Sequence, residues 1–392
     1  MNILFLLKSF EIGGLEVVTS VLANKFVAEG HNVVIWAFYK GKTSIADRFD
    51  NHVALVYGHG FNSCKENVAS LRKVLIDNDI NVVINQWGLP FVPARTLKRA
   101  TVGLKVKIIA VYHNNPMSNG RTKEVEIALE RCDCPFKRSL LRLKLYLFKG
   151  ITAASMRYIY RNSDIFIVLS RSFIKHFKDY TGIYKATKLR VQTNPVTIDS
   201  IGFVHNFDNK RKEVLFVGRL DYNQKRVYRV IETWAFTENK YPDWHLTIVG
   251  DGTERINLEK FVHELNLKNV SFEGFQSPRP YYERASLLML TSEFEGFPLV
   301  LAECMSFGVV PIVYGSYSAV YDIIEDGKNG LVVKPENGEF HAETMAKTLQ
   351  RVMTDNSLCR RMSIAAVETS KEYSIDVIYR QWNKLMESLV AE

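Results

Sequence analysis

The chain has 392 residues, of which 47% are hydrophobic and 24% charged, as in an ordinary soluble globular protein. This composition excludes a disordered chain, a collagen-like fibre and a coiled coil, and the length predicts two domains. No run of about 20 apolar residues predicts a membrane-spanning helix, and the apolar start, residues 3–7, is too short for a signal peptide. The five cysteines are an odd number without zinc-site spacing, so we expect reduced thiols and a cytoplasmic protein.

The first half of the chain alternates predicted strands and helices. Residues 2–7 are predicted to form a strand, Gly13-Gly14 a turn, and residues 16–29 an amphipathic helix. Further short apolar runs are predicted as strands, at residues 32–37, 81–85, 107–112 and 164–169. Strands that alternate with helices predict a parallel sheet covered on both faces.

The same pattern begins again after a polar segment, residues 206–212, which we interpret as a linker. Strands are predicted at residues 213–217, 245–249, 270–272, 287–290, 309–313 and 330–333, and helices at 227–237, 253–265, 298–307, 339–354 and 375–389. The predicted fold class is therefore α/β. Two Rossmann-like, doubly wound domains (1–205 and 206–373) are expected to face each other across a cleft, followed by a C-terminal helix segment (374–392).

Charge is distributed unevenly along the chain. Residues 1–200 hold 29 Lys and Arg against 15 Asp and Glu, so this half should meet an anionic partner. Much of the excess lies in residues 137–149, where cations alternate with leucines. Such a segment is typical of a helix on anionic lipid, or of a core helix with a solvated basic face, and both interpretations stay open. Nucleic acid is not expected, because the basic run lacks a reading motif and spaced aromatic residues.

The strongest candidate site is the segment of residues 293–303. A predicted strand ends before it, and a helix begins near Pro298, a residue suited to a first helical turn. The free amides and the dipole of that helix start can cradle a diphosphate. Glu303 can accept hydrogen bonds from a vicinal diol such as a ribose, and Glu295 from sugar hydroxyls. The alternative is a solvated loop acid followed by a helix acid.

A second candidate is the loop that follows the predicted strand 213–217. It carries Arg219 and Lys225, a guanidinium fork and a point-charge ammonium that together suit a diphosphate leaving group. They would neutralise the charge that develops as the bond to the sugar breaks. The alternative is two surface cations.

Glycines and a histidine give weaker signals. Gly13-Gly14 permits close approach of the backbone to a phosphate or sugar, but it is no full dinucleotide fingerprint. Gly250-Asp251-Gly252 is incomplete in the same way and is interpreted as a plain turn. His113 follows a predicted strand at the carboxyl edge, where ligands bind, although most single histidines are structural.

In their order and spacing these motifs resemble the retaining glycosyltransferases of family 4, which have the two-domain GT-B fold. The resemblance spans most of the chain and is densest over residues 213–335. It rests on Gly13-Gly14-Leu15-Glu16, Gly30-His31-x-Val33, His113, Asn194-Pro195, Gly218-Arg219-Leu220, Lys225, Gly250-Asp251-Gly252, Glu295-x7-Glu303, Gly308-x-x-Pro311 and Asp326-Gly327-x-Asn329-Gly330.

The resemblance implies a role for each candidate. Arg219 and Lys225 match the diphosphate-binding pair, Glu295 the acid that contacts the donor sugar, and Glu303 the acid that holds the ribose. His113 matches a histidine near the donor sugar and the acceptor, and the implied catalytic set is His113, Glu295, Arg219 and Lys225. The remaining implied donor contacts are Gly14, Gly296, Phe297, Pro298, Leu299 and Val300, the last four through backbone amides. No metal, cofactor or protein nucleophile is expected.

Three segments depart from the family pattern, the mildest being Glu303-Cys304-Met305 in place of the usual Glu-Ala-Met. Arg226 stands where a glycine usually follows the lysine, and it would add a further cation. Residues 315–320 replace the usual glycine-bearing loop near the base or the sugar.

The predicted function is transfer from a nucleotide sugar, UDP-linked, to a glycan or lipid-linked acceptor in capsule, lipopolysaccharide or exopolysaccharide assembly. The 137–149 helix would hold the protein peripherally on the inner face of the cell membrane. The alternatives are a nucleotide-sugar 2-epimerase and a non-catalytic subunit that binds sugar nucleotide. A dehydrogenase is a weaker alternative, since no full dinucleotide fingerprint is present.

Overall fold

The computed structural model describes residues 1–11, 13–41, 45–130, 132–198 and 200–391, so residues 12, 42–44, 131, 199 and 392 lie outside the description. Two compact units emerge: residues 1–197 with 375–392, and residues 198–374. The boundary after Thr197 precedes the one expected after residue 205 because the intervening residues pack within the second unit. The Phe203 ring lies 5.2 Å from the Phe307 ring, and His205 Nε2 is 3.0 Å from Ser363 Oγ.

The first unit is built on a seven-stranded parallel sheet. Its strands are β1 (Asn2–Ser9), β2 (Asn32–Tyr39), β3 (Ala54–Tyr57), β4 (Val82–Asn85), β5 (Lys107–Tyr112), β6 (Ile165–Val168) and β7 (Leu189–Val191). Its helices are α1 (Gly14–Ala28), α2 (Lys65–Asp77), α3 (Phe91–Ala100), α4 (Gly120–Glu130), α5 (Pro135–Arg161) and α6 (Ser172–Thr181), and later α13 (Ile375–Ala391). The sheet order is β3-β2-β1-β4-β5-β6-β7.

The core of this unit forms around its central strands. Residues 3–7 of β1 are fully buried, as expected for a parallel strand covered on both faces. On one side Trp36 and Phe38 of β2 pack with Leu71 and Leu75 of α2. The final helix, α13, also belongs here.

Helix α13 packs on α1 through its aromatic and charged side chains. Tyr379 Oη lies 3.1 Å from His31 Nε2, and its ring lies 5.4 Å from that of Phe26. Lys25 and Asp376 form an ion pair of 2.6 Å. These contacts hold α13 against the first unit.

The second unit is a six-stranded parallel sheet with helices. Its strands are β8 (Arg211–Val217), β9 (His245–Val249), β10 (Val270–Gly274), β11 (Ala285–Leu290), β12 (Val310–Tyr314) and β13 (Leu331–Val333). Its helices are α7 (Val227–Ala235), α8 (Arg255–Glu264), α9 (Arg279–Arg284), α10 (Leu299–Ser306), α11 (Ala342–Thr354) and α12 (Asn356–Ser370). The segment interpreted as a linker is instead ordered, with a 3-10 turn (Phe207–Asn209) and the start of β8, because it packs within this unit.

The strand order of each sheet reverses direction at one place. In the second sheet, β10-β9-β8-β11-β12-β13, the chain moves outward from β8 to β10 and then returns to place β11 on the other side of β8. The corresponding pair in the first sheet is β1 and β4. At such a reversal the loops that follow the two strands separate and leave a crevice for a ligand. The fold therefore predicts one binding edge in each unit.

Within the described ranges, no helix is both long and apolar enough to cross a bilayer. The longest, α5, has 27 residues and carries the basic segment 137–149 in its first half.

Candidate active site

The loop after β8 is organised by one carboxylate. Asp221 Oδ1 accepts hydrogen bonds from the backbone amides of Gln224 (2.6 Å) and Lys225 (3.3 Å), an Asx-type turn. Asp221 Oδ2 accepts from Arg219 Nε at 3.0 Å. Arg219 and Lys225, the two predicted diphosphate cations, are thus placed on one ordered loop.

The two glycines of residues 250–252 let the end of β9 approach this loop closely. A Cβ on Gly250 would lie 1.9 Å from the carbonyl oxygen of Gly218, and one on Gly252 would lie 2.3 Å from that of Leu220. The Leu220 amide donates to the Asp251 carbonyl at 2.9 Å. This segment is therefore more than the plain turn expected from the sequence, because its glycines support the loop that carries Arg219.

Lys225 and Glu295 form an ion pair across the reversal point of the sheet. Lys225 Nζ lies 2.6 Å from Glu295 Oε1, and Gln224 Nε2 donates to Glu295 Oε2 at 3.1 Å. The Lys225 and Glu295 side chains are only 15% and 7% exposed. Lys225 follows β8 and Glu295 follows β11, so the topology brings together two residues separated by 70 positions. A cation and a carboxylate thus meet at the reversal point of this sheet.

Glu303 is buried on α10, and Tyr282 Oη of α9 donates to its Oε2 at 3.3 Å. Burial, and secondarily the charge of Glu303, raise the pKa of Tyr282 well above its usual value. The phenol therefore keeps its proton and remains a donor to the carboxylate.

Helix α10 begins at Leu299 rather than Pro298. Pro298 has no amide hydrogen, and the Leu299 amide donates to the Phe297 carbonyl at 2.9 Å. Of the four amides expected between residues 297 and 300, those of Phe297 and Val300 are therefore the candidates for a bound anion.

Arg226 does not extend the cationic site, contrary to the expectation from the sequence. Its guanidinium lies 4.7 Å from the centre of the Tyr222 ring, and its Nε lies 3.8 Å from Glu293 Oε2. Glu293 also pairs with Arg229 at 3.0 Å. Stacking and ion pairing hold the Arg226 side chain in the protein, where it is 8% exposed. Its backbone is left-handed, with φ +50°, which explains why glycine also suits this position.

Sequence reasoning missed three residues of this site: Asp221, Gln224 and Tyr317. Gln224 links the predicted residues, since its side-chain Oε1 accepts from Arg219 at 3.4 Å while its side-chain Nε2 donates to Glu295. Tyr317 is 4% exposed, and its hydroxyl has no hydrogen-bond partner among the described residues. Burial, and then the charge of Glu295, raise the pKa of Tyr317. The departure of residues 315–320 from the family pattern was the only signal for it.

His113 and Gly14 lie in the first unit. His113 follows β5, is half-buried, and shares a 2.6 Å hydrogen bond between its Nε2 and Gln86 Oε1. Burial lowers the pKa of His113 to about 4, so the ring is neutral at physiological pH.

The glycine turn after β1 contains a buried acid. A Cβ on Gly14 would meet nothing within 4 Å, whereas one on Gly13 would lie 2.6 Å from Glu16 Oε2. Gly13 therefore borders the Glu16 carboxylate, whereas the space beside Gly14 is open. Burial raises the pKa of Glu16 to about 7.

No cluster of three or more His, Cys, Asp or Glu side chains suited to a metal occurs in the part of the chain that the structure describes.

Comparisons with known proteins agree with this architecture. Residues 12–200 match the family model described as Glycosyltransferase Family 4, and residues 197–369 match the one described as Glycosyl transferases group 1. One similar protein is an alpha-1,4-N-acetyl-D-galactosaminyltransferase of Campylobacter jejuni, named for the acceptor GalNAc-alpha-(1->4)-GalNAc-alpha-(1->3)-diNAcBac-PP-undecaprenol. It is 27% identical over 98% of each chain.

Two solved structures share the fold along the whole chain. The lipopolysaccharide outer core galactosyltransferase WaaB is 21% identical, with a TM-score of 0.69 and 99% of each chain covered. Anabaena HepE in complex with UDP and glucose is 18% identical, with a TM-score of 0.73, and covers 99% of this chain and 100% of its own. The expected α/β architecture with two Rossmann-like sheets is thus confirmed, and the chain belongs to the family-4 glycosyltransferases of GT-B fold.

Proposed function

We propose that this glycosyltransferase moves a sugar from a UDP-linked donor to a lipid-linked or growing surface glycan, with retention of anomeric configuration and without a metal ion. The observation that carries the proposal is the buried Lys225–Glu295 pair beside Arg219 at the β8/β11 reversal point. A cation pair next to a carboxylate suits a ligand that joins a diphosphate to a sugar.

The donor binds at the second unit. The Arg219 side chain is 67% exposed and can reach a phosphate, while Lys225 meets the other end of the diphosphate. Glu303, which accepts a hydrogen bond from Tyr282, also accepts hydrogen bonds from the ribose hydroxyls. The presence of UDP in the solved HepE structure supports uracil as the base of the donor.

Transfer breaks the bond between the anomeric carbon and the diphosphate oxygen, and the electron pair leaves with the diphosphate. Arg219 and Lys225 stabilise the negative charge that develops there. The acceptor hydroxyl attacks the anomeric carbon from the same face, and its proton passes to the departing diphosphate oxygen. Glu295 accepts hydrogen bonds from the sugar and stabilises positive charge on the ring. His113, neutral at physiological pH, serves as a hydrogen-bonding group near the sugar and carries no charge in this scheme.

The acceptor binds at the first unit and is attached to a lipid. The Campylobacter relative is named for an acceptor attached to undecaprenol by a diphosphate, and the first 200 residues carry an excess of 14 positive charges. This basic half favours an anionic acceptor on the inner face of the cell membrane.

A thermal-shift screen of the purified protein against nucleotide sugars tests the donor. A ligand at 100 times its dissociation constant stabilises the fold by about 2.7 kcal/mol. We expect a UDP-sugar to raise the melting temperature, and Arg219→Ala to lose at least about half of that shift. Equal shifts in wild type and variant would contradict the proposed site.

Transfer assays test the remaining elements. We expect activity to survive EDTA, and NMR of the product to show the anomeric configuration of the donor. Loss of activity in EDTA that Mg²⁺ restores would refute metal independence. Conversion of the donor to an epimer without any acceptor would favour the epimerase instead.

A further inference from the structure

Helix α5 presents a row of exposed apolar side chains, which we call the outer stripe: Phe136, Leu140, Leu143, Leu147 and Ile151. Each is between 53% and 73% exposed. Steps of four, three, four and four residues, at about 100° per residue, confine the five to an arc of roughly 80° on one face. A soluble protein gains nothing by holding so many large apolar groups in water on one helix face.

The opposite face of the same helix provides the contact with the protein. Leu141, Leu145, Phe148 and Thr152 are half-buried, and Ala153 is buried. A core helix with a solvated basic face would bury its leucines and expose its polar groups. Here Leu140, Leu143 and Leu147 are exposed to solvent, although the opposite face of the helix already packs against the protein. The outer stripe is therefore an exposed apolar surface that does not serve to pack α5 against the protein.

Cations border the outer stripe. Residues 135–151 include five Lys and Arg and no Asp or Glu. Lys149 is paired with Glu126 of α4 at 3.2 Å, so its charge is partly balanced. Lys137 and Lys144 are exposed along one margin of the stripe, and Arg142 is exposed further round the helix. An exposed apolar stripe with cations beside it is the pattern of a helix that lies in the interface of an anionic bilayer.

We propose that the outer stripe of α5 inserts shallowly into an anionic lipid bilayer, with the apolar side chains below the headgroups and the flanking cations on lipid phosphates. The occupant is a bilayer because the exposed cations beside the stripe complement anionic lipid, each cation near the surface adding about 1 kcal/mol. The inference deepens the proposed function, on whose lipid-linked acceptor its biological purpose rests. The helix lies on the membrane and does not cross it.

Flotation with vesicles of phosphatidylglycerol and phosphatidylcholine tests the docking. The stripe variant replaces three leucines of the outer stripe by glutamine: Leu140→Gln, Leu143→Gln and Leu147→Gln. The control variant replaces three exposed apolar residues of the second unit by glutamine: Ile256→Gln, Leu265→Gln and Ile364→Gln. We expect the stripe variant to bind vesicles about 100-fold more weakly than wild type, and the control to differ by less than about twofold. High salt should weaken wild-type binding without abolishing it, because the apolar contribution is not screened.

Three readouts can overturn the proposal. Equal flotation of the stripe variant and wild type would do so. Binding that disappears completely in high salt would show attraction by charge alone. A wild-type dimer that the stripe variant dissociates, with vesicle binding unchanged, would assign the stripe to a second copy of the chain. Circular dichroism and the melting temperature establish that the variants are folded.

The same variants separate this inference from the proposed function. Transfer to a water-soluble acceptor fragment should be equal in wild type and stripe variant, whereas transfer to acceptor in vesicles should fall with vesicle binding. Wild-type protein that binds vesicles but transfers no sugar to either acceptor would refute the proposed function and leave the docking intact.

Discussion

The Lys225–Glu295 pair offers the sharpest test of the site, because its effect on stability can be measured without knowing the substrate. Lys225→Met keeps most of the aliphatic stem and removes the charge, which leaves the carboxylate of Glu295 buried with the Gln224 amide at 3.1 Å. Glu295→Gln keeps the shape and leaves the ammonium without its anion. The double variant removes both charges.

The expected magnitudes follow from burial. Breaking a buried ion pair by removing one partner costs about 3–5 kcal/mol. The Gln224 contact and the 15% exposure of Lys225 favour the low end, about 3 kcal/mol for Lys225→Met. For Glu295→Gln we expect about 2 kcal/mol, because water can reach the ammonium. The double variant should cost about 3 kcal/mol, which gives a coupling free energy of about 2 kcal/mol.

Differential scanning calorimetry of the ligand-free protein measures these effects. For a unit of this size, each kcal/mol shifts the melting temperature by about 2–4 °C, so Lys225→Met should lower it by about 6–12 °C. A double variant whose shift equals the sum of the two single shifts would show that the charges are not coupled. Single shifts below about 2 °C would mean that the carboxylate is well hydrated, and the buried pair would then not exist in solution.

Three further results are expected. Glu16 has a pKa raised from 4.5 to about 7, so the folded state holds this proton more tightly than the unfolded state does, and stability falls as the pH rises between these values. Glu16→Gln should therefore raise the melting temperature above about pH 7 and change it little near about pH 4.5. The lowered pKa of His113 predicts that His113→Gln reduces kcat but leaves the shape of the pH–rate profile unchanged above about pH 5. If the variant instead lost an inflection that the wild type shows near neutral pH, the His113 ring would titrate there. Arg226→Gly should leave UDP affinity, measured by calorimetry, within about twofold, whereas Arg219→Ala should weaken it at least tenfold, a loss of about 1.4 kcal/mol; equal losses would place Arg226 on the diphosphate.

Much of the sheet architecture could be predicted from apolar runs, but two strands of the first sheet could not. Strand β5 has the predicted bounds, residues 107–112, because it is buried on both faces and its run of apolar residues is unbroken. Strands β3 and β7 were not predicted. β3 is only partly buried and exposed at both ends, and β7 has three residues, so neither has the pattern of a strand buried on both faces.

The site shows the same division. From sequence order and spacing, the charged residues Arg219, Lys225 and Glu295 could be selected as candidates for the site. They could not predict that Lys225 and Glu295 touch, because that contact depends on β11 lying next to β8. The burial of Arg226 against Tyr222 also depends on a side-chain direction that no periodicity encodes. On α5 the sequence left open which leucines face outward, since both faces contain them.

The contact between Lys225 and Glu295 has a consequence for selectivity. In the empty protein the Lys225 ammonium is already paired with the Glu295 carboxylate. A small anion such as inorganic phosphate must therefore displace that carboxylate to bind this one cation. In the proposed site, a molecule with two linked phosphates would reach Arg219 as well, and its carbohydrate would offer hydroxyl groups to the Glu295 carboxylate. We therefore expect the enzyme to bind small anions weakly and the complete donor more tightly.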